Sequence, residues 1–251
     1  MKKYIIGNWK SELSPDQSIK LAKSLNKEFK QKIKSKREIV VCPSYLNISS
    51  VSQALKTSKI KLGAQGFFLE DYKAATGSVS IQALKDFNCQ YVIIGHSEER
   101  VAYKLEEAEI NRQVRIALEE KLMPILCIGE DKEARDNNQP EIYIKNQLTR
   151  ELAGIRLGEK DKLVIAYEPI WAISPNGPAE PEDISRMHTL IRRLLLEILP
   201  ANRLNKNVTI VYGGSINPDN IKDYINLAAV DGVLIGKAST DFDSFSSIIN
   251  Y

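Results

Sequence analysis

A short β-branched run, a turn and then a helical stripe recur eight times along this chain, and that alternation limits its fold more than any other feature. The runs are Tyr4-Ile6, Ile39-Cys42, Ile60-Gly63, Tyr91-Ile94, Pro124-Cys127, Leu163-Tyr167, Val208-Tyr212 and Val233-Ile235. None alternates apolar with polar residues, as expected when both faces of a parallel sheet are covered. Among the stripes, Ile19, Ala22, Leu25, Phe29 and Ile33 recur at spacings of three and four. They are opened by Ser14-Pro15-Asp16-Gln17, which reads as a capping box with proline at the first helical position. Ile184, Met187, Ile191, Leu194, Leu195 and Ile198 form another stripe, opened by Pro181-Glu182-Asp183. Asn217-Pro218-Asp219 reads as the cap of a shorter helix ending near Leu227. Strict strand–helix alternation implies parallel strands joined by right-handed crossovers. Eight units either close into a barrel or lie open as a doubly wound sheet. The open form usually carries a glycine-rich dinucleotide fingerprint after the first strand, which is missing here. The expectation is therefore an α/β fold, a single-domain eight-stranded parallel barrel spanning residues 1–251.

Composition narrows the function. With 43% apolar and 27% charged residues, the chain can bury a real core,. Its 35 basic and 32 acidic residues leave a net charge of only +3, which gives no case for nucleic acid or an anionic membrane as partner,. No apolar run approaches the ~18 residues of a membrane span. Met1-Lys2-Lys3 starts like a signal peptide, but the apolar run after it breaks at Gly7-Asn8,. Cys42, Cys89 and Cys127 are odd in number and scattered, and none lies at metal-ligand spacing with His96 or His188,. These features point to a cytoplasmic protein with reduced thiols and no metal.

In such a barrel the chemistry lies at the C-terminal strand ends. The first strand ends in Asn8-Trp9-Lys10, with Asn8 and Lys10 on one side by period two,. A lysine there can hold a phosphate, oppose developing negative charge, or simply face solvent. The fourth ends in Gly95-His96-Ser97-Glu98, placing His96 where a helix start disfavours imidazolium,. It reads as a neutral hydrogen-bond donor or as a satisfied strand-end histidine, whereas His188 falls on an apolar stripe and reads as core. The sixth strand runs into Glu168, either a base or half of an ion pair, and then into the turn-rich segment Ser174 to Pro181, which suggests a lid,. Glycine-bearing turns at Gly213-Gly214-Ser215 and Gly236-Lys237 follow the last two strands, where barrels commonly bind phosphate through backbone N–H groups,. A base, a neutral electrophile, a cation and a phosphate nest at one mouth suit proton transfer beside a carbonyl of a small phosphorylated substrate.

The motifs resemble those of the triosephosphate isomerase family along essentially the whole chain. Asn8-Trp9-Lys10, Gly63-Ala64-Gln65, Gly95-His96-Ser97-Glu98, Cys127-Ile128-Gly129-Glu130, Ala166-Tyr167-Glu168-Pro169-Ile170-Trp171-Ala172, Tyr212-Gly213-Gly214-Ser215 and Gly232-Val233-Leu234-Ile235-Gly236 occur in the family's order. The resemblance implies interconversion of dihydroxyacetone phosphate and glyceraldehyde 3-phosphate without a cofactor. Glu168 would be the base, His96 the electrophile and Lys10 the cation, with Asn8 orienting the substrate and Glu98 just behind. Backbone N–H groups of Ser174, Ser215, Gly236 and Lys237 would grip the phosphate. The resemblance also implies a homodimer through the loop Gly66 to Ser78, with Thr76 at the contact position and Phe67-Phe68-Leu69 offering apolar surface.

Several positions depart from the family pattern. Ser174-Pro175-Asn176-Gly177 replaces the usual lid tip, and Pro178 follows it,. Glu99 replaces a usual arginine, Leu105 a usual acidic residue, Gly66 a usual asparagine and Lys237 a usual glycine. The altered lid raises the alternative of another short ketose phosphate, such as a tetrulose phosphate, as substrate. A catalytically silent barrel used as a binding scaffold is the remaining alternative.

Overall fold

The computed structural model describes residues 2–30, 36–68, 76–172 and 177–251. Eight parallel strands close a barrel in sequence order: β1 (Lys3–Asn8), β2 (Arg37–Cys42), β3 (Lys61–Ala64), β4 (Tyr91–Ile94), β5 (Met123–Ile128), β6 (Leu163–Tyr167), β7 (Val208–Tyr212) and β8 (Gly232–Ile235). β1 closes the ring by pairing with β8, Tyr4 beside Gly232 and Gly7 beside Ile235. Each of the eight runs read from the sequence is a strand.

Two layers of apolar side chains explain the closure. Ile6, Val40, Cys42, Tyr91, Ile93, Ile125, Cys127, Val164, Ala166, Val211 and Leu234 fill the lumen. Their strand neighbours of opposite parity, such as Ile5, Ile39, Val92, Leu126, Ile165 and Ile210, face the surrounding helices,. Burying each such side chain contributes about 1.5–3 kcal/mol. Gly63 keeps the lumen fillable, because a Cβ there would lie 2.6 Å from the Cys42 sulfur.

Helix α1 (Pro15–Phe29) buries Leu21, Ala22, Leu25 and Phe29, and its capping box forms as read. The Gln17 N–H donates to Ser14 Oγ, and the Ser14 N–H donates to Gln17 Oε1,. Ile33, the last member of the stripe, lies outside the described residues. α8 (Pro181–Ile198) turns its stripe inward and includes His188, which is fully buried and meets the Tyr167 ring edge-on at 5.9 Å. α10 (Ile221–Ile225) begins later than Asn217-Pro218-Asp219 suggests. Asn217 Oδ1 accepts the N–H groups of Asp219 and Asn220, forming a turn that precedes the helix,.

One expectation needs correction. Phe67 is buried at 4% exposure, so of the two adjacent phenylalanines Phe68, at 63%, is the one that offers apolar surface. The Phe67 carbonyl accepts from Gln113 Nε2 and its ring joins the core, which fixes which of the two adjacent phenylalanines turns inward. Leu69 lies outside the described residues.

Candidate active site

Period two carries the lumen series one step beyond the sheet and so builds the mouth of the barrel. Ile6 is followed on its own face by Asn8, Ala166 by Glu168, Val211 by Gly213 and Leu234 by Gly236,. A cavity of about 950 Å³ at this mouth is lined by Asn8, Lys10, His96, Glu168, Ser215, Gly236 and Lys237. Every candidate residue among those described therefore faces one space. Ser174 lies outside the described residues, as do its neighbours 173, 175 and 176.

Lys10 occupies the left-handed region at φ 48°, uncommon for a lysine,. Two hydrogen bonds hold it there: its N–H donates to Asn8 Oδ1 at 3.1 Å, and its carbonyl accepts from Gln65 Nε2 at 2.9 Å. The same Gln65 nitrogen reaches the Cys42 carbonyl at 2.9 Å, tying the turn to β2. A strained backbone fixed on both sides aims the side chain across Gly236, where an added Cβ would lie 3.6 Å from Lys10 Cε,. Its Nζ ends 2.6 Å from Glu98 Oε1.

His96 caps α4 (Ser97–Tyr103), and the Glu98 backbone N–H donates to its Nδ1 at 3.2 Å. A nitrogen that accepts has no proton, so the neutral ring carries its hydrogen on Nε2. Nε2 faces Glu168 Oε1 at 3.1 Å. Glu168 Oε2 accepts the Ser97 N–H at 3.2 Å, and Gly213 makes room, since a Cβ there would meet Glu168 Cγ at 2.9 Å. Burial pushes the Glu168 carboxyl above the ordinary carboxylate range, while His96, the Ser97 amide, Lys10 and Arg100 pull it back down,. Such a carboxyl is a stronger base than a solvated one.

Arg100 fixes the entry to α4. Its Nε donates to the Gly95 carbonyl at 2.7 Å, one Nη to Glu151 Oε1 and the other to the Cys127 carbonyl, both at 2.6 Å. Beyond Glu168, the indole N–H of Trp171 and the Tyr167 hydroxyl both donate to buried Glu130, at 2.8 and 3.0 Å. The Arg135 guanidinium lies 4.5 Å over the Trp171 ring,.

Three contributors carry no assigned role in the sequence reading, although two of them stand in its motifs: Gln65, the Ser97 amide and Arg100. Gln65 was open to discovery, because Gly63 lines the lumen and Gln65 is the next residue of the same parity. The other two act through backbone geometry and long-range contacts that spacing does not encode.

The family model described as triosephosphate isomerase matches residues 3–251. The triosephosphate isomerase of Dictyoglomus turgidum is 40% identical over 250 residues, covering 99% of this chain and 98% of that protein. That of Clostridium tetani is 36% identical over 250 residues, covering 100% and 96%. The crystal structure of triosephosphate isomerase from Bartonella henselae superposes with a TM-score of 0.87 at 28% identity, covering 100% and 98% of the two chains.

Proposed function

The chain belongs to the triosephosphate isomerase family and carries its isomerase activity; from that premise we propose how its own residues divide the interconversion of dihydroxyacetone phosphate and D-glyceraldehyde 3-phosphate. Glu168 takes the proton from the carbon beside the substrate carbonyl, leaving an enediolate. The Nε2–H of His96 donates to the oxygen on which charge develops, and the Lys10 ammonium opposes that charge. His96 relays the hydroxyl proton from one enediolate oxygen to the other, and Glu168 returns its proton to the neighbouring carbon. Hydrogen moves within one molecule, so the balance calls for no external oxidant or reductant. Asn8 fixes the Lys10 turn, and backbone N–H groups of Ser215, Gly236 and Lys237, with Ser174, hold the phosphate.

The observation that carries this reading is the 3.1 Å approach of His96 Nε2 to Glu168 Oε1 in the cavity that Lys10 also lines. A coupled assay on pure protein tests it. Turnover of both triose phosphates, with solvent deuterium entering the recovered substrate, is the expected result. No turnover of either sinks it.

We propose further that residues 1–251 act as one domain in the cytoplasm, and that the chain's partner is a second copy of itself. Among the described residues no helix is long and apolar enough to cross a membrane, and all three cysteines are free and buried. Support for the dimer comes from a second cavity, of about 720 Å³, bordered by Tyr45, Phe68, Gly77 and Tyr103. Around it Leu46 is 90% exposed, Tyr103 74% and Phe68 63%, an apolar surface that a subunit of the same kind would cover,. Phe67, Phe68 and Gly77, from the described ends of the loop Gly66 to Ser78, form one side of it.

A further inference from the structure

Lys237 stands where the family pattern usually has glycine, and the backbone accommodates the exchange. Its φ lies outside the left-handed region, so a side chain is carried there without strain,. Its carbonyl accepts from the Thr240 N–H at 3.0 Å and from Thr240 Oγ1 at 2.8 Å, which fixes the 3-10 turn Lys237–Ser239. Ser239 Oγ donates to the Gly236 carbonyl at 2.7 Å and closes the same turn. A glycine at this position would offer the same backbone N–H. What lysine adds is a flexible stem and a charge.

That charge matters because the mouth is short of cations. Among the described residues, the ionisable side chains lining the cavity are Lys10, His96, Glu98, Glu168, Lys237 and Asp241. Lys10 gives its ammonium to Glu98 at 2.6 Å, and Asp241 Oδ1 caps α11 (Phe242–Asn250) by accepting the Ser244 N–H at 2.8 Å. The Lys237 side chain is exposed, and its ammonium has no ion-pair or hydrogen-bond partner among the described residues. Residues 173–176 are Ile, Ser, Pro and Asn, so that segment contributes no charge of either sign. A phosphate monoester carries about two negative charges above its second pKa of about 6. It meets three carboxyl groups at this mouth and one uncommitted cation, Lys237. Backbone N–H groups offer the phosphate partial charges only.

We propose that the Lys237 ammonium is a substrate-recognition group, pairing with the phosphate of the triose phosphate and favouring dianions over neutral or singly charged molecules. This rests on the isomerase reading above. One turn serves both lysines: an added Cβ at Gly236 would lie 3.9 Å from Lys10 Nζ, and Lys237 is the next residue. Lys10 is thereby left to the enediolate, and the phosphate has a cation of its own. A rim charge of this kind acts chiefly on the association rate and its salt dependence. One unit charge about 4 Å from a singly or doubly charged partner in water changes an equilibrium by about five- to thirtyfold.

Kinetics and calorimetry of Lys237→Gln at pH 8 test the assignment, with inorganic phosphate as the binding probe. At about 0.01 M ionic strength the variant should raise KM for both triose phosphates, and the Kd of phosphate, by about five- to thirtyfold. Most of the fall in kcat/KM should lie in KM. At about 1 M, where the screening length has shrunk from about 30 Å to about 3 Å, variant and parent should converge. Lys237→Arg should keep the parent's values at both. A Lys237→Gln protein with the parent's KM and phosphate Kd at low salt overturns the proposal, and the side chain then serves solvent alone. A loss of the same size at both ionic strengths also overturns it, because a displaced backbone N–H and not a missing charge would be responsible. If phosphate binding depends on Lys237 but neither triose phosphate turns over, the isomerase reading falls and the anion site at Lys237 stands.

Discussion

His96 Nε2 and Glu168 Oε1 stand 3.1 Å apart, so the electrophile and the base confront each other until a substrate comes between them. Each keeps the other oriented, and the Ser97 amide holds the carboxylate's second oxygen. Replacing Glu168 by alanine should lower kcat by at least the ~10²–10⁴-fold typical of a general base. A fully active variant would instead assign the base to another carboxylate, Glu98 being nearest the site.

Because burial raises the Glu168 carboxyl, the acid limb of kcat/KM should lie above the ~4.3 of a free glutamate,. The same shift has a cost in stability. A carboxyl that binds its proton more tightly when folded stabilises the fold below its unfolded pKa, and that benefit disappears as pH rises through the folded one. At neutral pH Glu168→Gln should therefore be inactive yet melt at a higher temperature than the parent. Calorimetry showing an equal or lower Tm contradicts this.

His96 should show its proton on Nε2 in the neutral ring. Two-bond nitrogen–proton NMR spectra of labelled protein read this directly, and a proton on Nδ1 would break the argument from the Glu98 amide. His96→Gln keeps a donor but misplaces it, so kcat should fall by about 10²–10³, the usual loss for a single oxyanion donor.

His188 gives a separate acid response. Burial depresses its imidazole to about 3, against ~6.5 in an unfolded chain. A histidine held neutral in the fold contributes stability that is present above the unfolded value and lost as pH falls through the interval between the two. The loss approaches about 1.4 kcal/mol per pH unit within that interval. His188→Met should flatten the decline of Tm between pH 6.5 and 4. An unchanged slope would mean that other groups dominate acid unfolding.

Phe68→Asp should lower the mass seen by light scattering, because it charges an exposed ring beside the proposed subunit contact. Phe67→Asp is a poor probe, since it would place a charge in the core. If Phe68→Asp and Thr76→Glu both keep the parent's mass, the loop Gly66 to Ser78 is not in the interface.

The barrel was legible because β-branched runs and helical stripes obey different periods, and each run became a strand. Much of the mouth was legible for a related reason: parity along a strand continues past its last hydrogen bond, which locates Asn8, Glu168, Gly213 and Gly236. Where no period operates, the reading failed. Phe67 and Phe68 sit in a loop, and only the packing of Gln113 and the core decides which one turns in. Asn217 caps a turn in place of a helix, because side-chain oxygens of that reach satisfy either arrangement,. The contact of Lys10 with Glu98 joins residues 88 positions apart, and no spacing rule connects them.

The side chains of Tyr91, Ile93, Ile125, Val164 and Val211 fill the bore beneath the reacting groups and leave no passage to the far end. Molecules must enter and depart through the same doorway. A finished sugar phosphate thus blocks the next arrival until it has gone, and product inhibition in either direction should be purely competitive.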